Sequence, residues 1–114
     1  MRLSRIILDD LARWRELAAI VARAAKMVEP GAEVYVVGGA AENRLTILSD
    51  IDVVIALPEE PDHDRIIDLE AKIFEKAEEL GLPLHAPVEL HIVGPRSLQK
   101  FLEKSKVVRI DVEG

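Results

Sequence analysis

Two aspartates separated by one residue stand at the head of an apolar run, in the stretch SDIDVVIAL. Residues two apart in a strand face the same side of a sheet, so Asp50 and Asp52 would lie side by side, with Cα atoms about 6.5–7 Å apart. Their like charges repel, and each carboxylate loses hydration beside an apolar strand. A bound divalent cation offsets both costs, so the spacing predicts a Mg²⁺ site. The alternative is a turn or cap at the strand start, where aspartate is common.

A third carboxylate occurs in the later apolar run VELHIV, where Glu89 alternates with Val88 and Leu90. If the two runs form neighbouring strands, Glu89 completes a group with Asp50 and Asp52. Such a group could hold two metal ions about 3.5–4 Å apart, which would activate an attacking hydroxyl and stabilise a leaving pyrophosphate. Glu89 could instead be a solvated edge residue or an ion-pair partner.

Residues suited to phosphate binding precede the aspartates. Gly38 and Gly39 end an apolar run, and without side chains they let backbone amides approach a phosphate closely. Ser49 could add a hydroxyl contact, and Arg44 could balance triphosphate charge. The corresponding structural interpretations are a tight turn for the glycines, a plain turn residue for Ser49 and an exposed loop charge for Arg44.

The three histidines differ in their expected surroundings. His91 would share a sheet face with Glu89, two residues away. A histidine half-packed on a sheet surface is the commoner interpretation, and contact with metal or substrate is the alternative. His63 and His85 fall in predicted loops and are expected to be inert.

The spacing resembles the signature of the nucleotidyltransferase superfamily that includes DNA polymerase beta, kanamycin nucleotidyltransferase and the CCA-adding enzymes. That signature is a Gly-Ser pair, ten residues, and then Asp-x-Asp on a strand. Here Gly38 and Gly39 are followed by ten residues and then by Asp50, Ile51 and Asp52. A third acid on a later strand belongs to the pattern, and Glu89 matches it. The length of the chain is similar to that of the minimal nucleotidyltransferases.

This resemblance implies a fold, an activity and partners. The implied fold is a mixed β-sheet flanked by helices. The implied activity is transfer of a nucleoside monophosphate, AMP from ATP or another NTP, to an acceptor hydroxyl, with Mg²⁺ held by the three acids. Minimal nucleotidyltransferases are often paired with a small helical HEPN protein, as antitoxin and ribonuclease toxin, so a HEPN partner is expected.

The chain departs from the family pattern at several positions. Gly39 replaces the family serine, so a hydroxyl that contacts nucleotide phosphate is missing. Glu42 and Asn43 stand where many minimal members have Arg and Gly, although Arg44 could supply the cation. The third acid is Glu89 where aspartate is commoner. These differences leave open a second function, in which the protein keeps the fold and neutralises a partner by contact alone.

The elements that must position these residues follow from periodicity and from helix breakers. Helices are predicted at 9–28, 63–80 and 95–105, with a turn and short helix at 40–47. Strands are predicted at 33–37, 50–57, 87–93 and 106–112. Their alternation predicts an α/β or α+β domain of two or three layers, with two-layer α+β preferred. This single domain is expected to span residues 1–114.

Two helices carry more detailed predictions. In the helix at 9–28, Asp9 and Asp10 are expected near the free amides of its first turn. In the helix at 63–80, Asp62 or Asp64 is the expected N-cap and Gly81 is the expected stop. The predicted core-facing positions of this second helix are Ile66, Ile67, Ile73, Phe74, Ala77 and Leu80.

Composition restricts the function further. The 114 residues include no cysteine, which excludes disulfides, zinc–thiolate sites and thiol catalysis. The net charge of −6 argues against a broad nucleic-acid-binding surface. No apolar run approaches the ~20 residues that span a bilayer, so a cytoplasmic protein is expected. Scarce Asn and Gln beside abundant Glu, Lys and Arg are typical of thermophiles. The sequence leaves oligomeric state open, a homo-oligomer included.

Overall fold

The computed structural model describes residues 13–42 and 50–112, which form three helices and four strands. The helices are α1 (Trp14–Val28), α2 (His63–Glu79) and α3 (Pro95–Lys104). The strands are β1 (Glu33–Val37), β2 (Ile51–Ala56), β3 (Val88–Val93) and β4 (Val107–Ile110). These elements match the predicted order. The predicted caps Asp9 and Asp10, and most of the short helix at 40–47, lie outside the described residues.

The four strands form one mixed sheet in the order β3-β2-β1-β4. β1 runs antiparallel to both β2 and β4, whereas β2 and β3 are parallel. The parallel pair is connected by a crossover that contains α2, as parallel neighbours require. The α+β prediction, with a mixed sheet flanked by helices, is confirmed.

One face of the sheet carries the main hydrophobic core. Alternate residues of β1 and β2, such as Val34, Val36, Val53 and Ile55, are almost completely buried there. α1 and α2 pack against each other and cover this face with apolar side chains. Trp14 at the start of α1 belongs to the same core.

α2 begins and ends where the sequence indicates, but its buried stripe is narrower than predicted. Asp62 is the N-cap, and its side chain accepts a hydrogen bond from the backbone N–H of Arg65 at 2.8 Å. Gly81, with φ of +107°, follows the C-terminal end. The inclusion of Ile67 in the core-facing set is wrong, because this side chain is 54% exposed. Leu69, which was not in that set, is buried instead.

β2 starts one residue later than predicted. Its pairing with β3 begins at Ile51, whose N–H donates to the carbonyl of Pro87 at 2.7 Å. Pro87 has no N–H with which to continue the ladder, so Asp50 precedes the strand rather than forming part of it. β4 is likewise shorter than the predicted 106–112.

The opposite face of the sheet is covered in part by α3. A small apolar cluster joins Val37, Val54, Ala56 and Val93 to Leu98 and Phe101 of this helix. No residue of α3 is fully buried. The candidate functional residues lie on this second, more open face. Within the described ranges, none of the helices has the length and apolar character to cross a membrane.

Candidate active site

One row of side chains runs across the second face of the sheet and becomes polar toward β3. Val107 of β4 pairs with Val37 of β1, Val37 pairs with Asp52 of β2, and Asp52 pairs with Glu89 of β3. Directly paired residues of neighbouring strands point to the same face. The fold therefore brings the second aspartate and the glutamate, far apart in sequence, to adjacent positions.

Asp52, Glu89 and His91 form a compact group of potential metal ligands. One ligand atom from each residue lies within 4.8 Å of the others. The side chains of Asp52 and His91 are 31% and 27% exposed, and Glu89 is exposed. The group is thus accessible from solvent at Glu89 and partly sheltered at the other two residues.

His91 is held between Asp52 and α3. Its Nε2 atom lies 3.1 Å from Oδ1 of Asp52. An ionised carboxylate can only accept a hydrogen bond, so Nε2–H donates to Asp52 when no metal is bound. The His91 ring also packs against the ring of Phe101, with centroids 5.5 Å apart and planes inclined by 53°. These two contacts orient the imidazole over the second face of the sheet.

Gly38 follows β1 directly and lies beside Asp52. Its φ of +73° is in the left-handed region, and a Cβ atom added there would stand 3.1 Å from Oδ2 of Asp52. Its carbonyl accepts a hydrogen bond from the N–H of Glu42 at 3.2 Å, which closes the turn after the strand. Glycine is therefore favoured by the left-handed turn, and a Cβ atom there would force the Asp52 carboxylate to shift by a few tenths of an ångström. Gly39 is half-buried in the same turn.

The other predicted site residues are placed as follows. Asp50 is exposed and immediately precedes β2, and it is not a member of the group formed by Asp52, Glu89 and His91. Ser49 and Arg44 lie outside the described residues. The catalytic, metal-binding and nucleotide-binding roles assigned to all these residues remain predictions.

The donor atoms of the group suit a divalent cation. Two carboxylates and one imidazole converge from two neighbouring strands. All three side chains are at least partly accessible to solvent. Ligands bound at about 2.1 Å from one metal stand about 3.0–4.2 Å apart, so movements of under about one ångström would bring the three atoms to a common centre.

The sequence indicated part of this site. Alternation in β3 placed His91 on the face of Glu89, and the structure adds its contact with Asp52. No local signal could identify Phe101, because its approach to His91 depends on how α3 packs on the sheet.

Comparison with known proteins gave a family match and a structural match. The family model described as nucleotidyltransferase domain matches residues 15–113 of the chain. Among solved structures, the chain is similar to a crystal structure of a candidate nucleotidyltransferase from Sulfolobus solfataricus. The two chains are 16% identical, the match covers 90% of this chain and 84% of that one, and the TM-score of 0.62 shows a shared fold. A comparison with curated proteins gave no match.

Proposed function

Since this chain belongs to the nucleotidyltransferase domain family, we propose that it transfers a nucleoside monophosphate, AMP from ATP, to an acceptor hydroxyl with the help of Mg²⁺. The observation that carries the proposal is the direct pairing of Asp52 with Glu89 beside the turn at Gly38. It supports the predicted arrangement of acids and glycines that the resemblance requires.

The proposed reaction is an in-line displacement at the α-phosphorus of ATP. The acceptor oxygen forms a bond to this phosphorus, the bond from the phosphorus to the bridging oxygen breaks, and pyrophosphate leaves. Glu89, the exposed carboxylate of the group, takes the acceptor proton and passes it to solvent. Bound Mg²⁺ supplies charge neutralisation for the carboxylates and the phosphates.

The protein contributes mainly position and charge. Asp50, Asp52 and Glu89 would hold the cation, and the backbone at Gly38 and Gly39 would leave room for the triphosphate. Ser49 and Arg44 would add polar contacts to the phosphates.

We place the acceptor hydroxyl on a partner protein, a small helical HEPN ribonuclease toxin for which this protein is the antitoxin. The resemblance to minimal nucleotidyltransferases motivates this assignment. The exposure of Glu89 at the surface of the sheet supports it, because a hydroxyl on a macromolecule can reach a carboxylate that is not enclosed.

A second candidate function is neutralisation of the partner by contact alone. Two residues favour it: Gly39 lacks the family hydroxyl, and Glu42 places an exposed acid in the turn that would face triphosphate. In this case the fold would be retained and the transfer reaction lost.

Incubation with labelled ATP, Mg²⁺ and the product of the neighbouring gene separates the two functions. We expect label on the partner, and we expect it to disappear with Asp50→Asn or Asp52→Asn. Asp68→Asn is the matched control, since Asp68 is an exposed aspartate on α2 that pairs with Lys72 at 2.9 Å. Intact complex formation without any label would favour the contact function.

A further inference from the structure

The third member of the ligand group is an imidazole rather than a carboxylate, and this changes which metal the site prefers. Nε2 of His91 lies 3.1 Å from Asp52, and the potential ligand atoms of Asp52, Glu89 and His91 are mutually within 4.8 Å. Hard cations such as Mg²⁺ prefer oxygen ligands, whereas imidazole suits transition metals such as Zn²⁺, Fe²⁺ and Ni²⁺. Mn²⁺ is also usually bound by oxygen, but as a transition metal it accepts an imidazole nitrogen more readily than Mg²⁺ does. The composition of the group therefore favours a divalent cation that accepts nitrogen as well as oxygen, while leaving Mg²⁺ able to bind.

We propose that His91 is a direct metal ligand and that it makes this site select a divalent transition metal, with Mn²⁺ bound in preference to Mg²⁺. This inference rests on the proposed function only in that it concerns the same site. Asp52 and Glu89 supply carboxylate oxygens and His91 supplies Nε2. Water, Asp50 and nucleotide phosphate can fill the remaining positions.

The surroundings of His91 are those of a positioned ligand. The ring is 27% exposed, it is fixed on β3 two residues from Glu89, and it packs against Phe101. In the metal-free protein Nε2–H donates to Asp52, so the imidazole already points toward the carboxylate with which it would share the ion. Binding requires the tautomer with the proton on Nδ1, which leaves the Nε2 lone pair for the metal.

The alternative is that His91 only orients Asp52 through the hydrogen bond. A positioning residue would affect Mg²⁺ and Mn²⁺ binding to similar extents. A direct nitrogen ligand would affect Mn²⁺ binding much more, because its contribution to Mg²⁺ binding is small. The two roles are thus separable by metal identity and by spectroscopy.

The experiment is a titration of the full chain with Mn²⁺, followed by electron paramagnetic resonance of the free ion, and repeated with Mg²⁺ as competitor. Each titration is run with and without a non-hydrolysable ATP analogue, in case the nucleotide completes the site. The test variant is His91→Gln, which keeps a hydrogen-bond donor for Asp52 but removes the imidazole. The control is His63→Gln, because His63 is exposed and follows the opposite end of β2.

We expect Mn²⁺ to bind more tightly than Mg²⁺, and His91→Gln to weaken Mn²⁺ binding about tenfold or more with a smaller effect on Mg²⁺. Electron spin echo modulation from a coordinated ¹⁴N nucleus should be present with bound Mn²⁺ and absent in His91→Gln. His63→Gln should leave both measurements unchanged.

Equal loss of Mn²⁺ and Mg²⁺ affinity, absence of ¹⁴N modulation, or no metal binding under either condition would overturn the inference. These outcomes are independent of the label-transfer assay. Nitrogen-coordinated Mn²⁺ without AMP transfer would refute the proposed function and leave the role of His91 as a ligand intact. AMP transfer by a protein whose bound Mn²⁺ has only oxygen ligands would refute the role of His91 and leave the proposed function intact.

Discussion

At the scale of single residues, the site includes a glycine whose substitution should cost stability. Gly38 combines a left-handed backbone with close approach to Asp52, whereas Gly81 has a left-handed backbone and open space around the position of a Cβ. Substitution of Gly81 therefore tests backbone strain alone, whereas substitution of Gly38 tests backbone strain together with contact to Asp52. The sequence indicated the position of Gly38 through its spacing to Asp52, but not the approach to Oδ2, which depends on the pairing of β1 with β2.

Replacement of Gly38 by alanine should lower both stability and metal affinity. The left-handed backbone costs an L-residue about 1–2 kcal/mol, and the added methyl group would displace the Asp52 carboxylate. Gly81→Ala should show a similar loss of stability in urea unfolding, with metal affinity retained. Equal metal affinities for the two variants would contradict the role of Gly38 at the site.

Tyr35 makes a contribution to the free energy of unfolding that depends on pH. Its hydroxyl donates to Glu33 at 2.7 Å, and this hydrogen bond, with smaller contributions from partial burial and the Glu33 charge, raises the pKa of the phenol above the ordinary 10.0. A raised pKa means that the folded state favours the neutral phenol. The contribution is therefore complete below pH 10.0 and is lost as the pH rises through the folded-state value.

Urea unfolding of wild type and Tyr35→Phe, at pH 8 and at several values above pH 10, measures this term. The wild-type protein should lose more stability than the variant across the alkaline range. Parallel curves for the two proteins would show that the hydrogen bond to Glu33 contributes nothing.

At the scale of elements, the first turn of α3 is capped by a residue from a loop distant in sequence. Gly94, its N-cap residue, has no side chain to accept from the first amides. Glu60, from the loop after β2, does so instead, and its Oε1 accepts from the N–H of Arg96 at 2.7 Å. Sequence periodicity predicted the helix, and the proline after Gly94 predicted its start, but a cap from 36 residues away leaves no local signal.

Alanine at Gly94 should destabilise the protein more than loss of the cap does. A Cβ at Gly94 would stand 2.6 Å from the backbone Cα of Glu60, so the loop would have to move, at a cost of about 1–3 kcal/mol or more. Glu60→Ala should cost about 0.5–2 kcal/mol, the usual range for a helix cap. Thermal melting of both variants, with Gly31→Ala as a control in ordinary contact with Pro58, checks this order.

If Gly94→Ala is at least as stable as Glu60→Ala, the loop that contains Glu60 moves at little cost.

The predicted apolar stripe of α2 illustrates a related limit of prediction from sequence. Apolar character at Ile67 suggested burial, but the direction from which α1 packs on α2 leaves this residue outside the core.

At the scale of the whole molecule, the neighbouring carboxylates of Asp52 and Glu89 predict that stability depends on a bound cation. Asp52→Asn removes one charge next to Glu89 and keeps an oxygen that accepts from His91. We therefore expect the metal-free variant to be as stable as wild type or more stable. Divalent cation at one hundred times its Kd should stabilise wild type by about 2.7 kcal/mol, and the variant by much less.

Melting temperatures measured with a chelator test the stability of the metal-free variant, and those measured with added cation test the stabilisation by metal. A marked drop for metal-free Asp52→Asn would mean that the aspartate has a structural role. Equal stabilisation of both proteins by the cation would place the bound ion elsewhere.

The parallel pairing of β2 with β3 also determines when the site can first exist during synthesis. Asp52 leaves the ribosome well before Glu89, and the whole crossover through α2 lies between them. A nascent chain that ends before β3 carries the first acid without the glutamate or the imidazole that complete the group. An ion that needs all three ligands could therefore bind only late in translation, after α1, α2 and the first three strands have emerged.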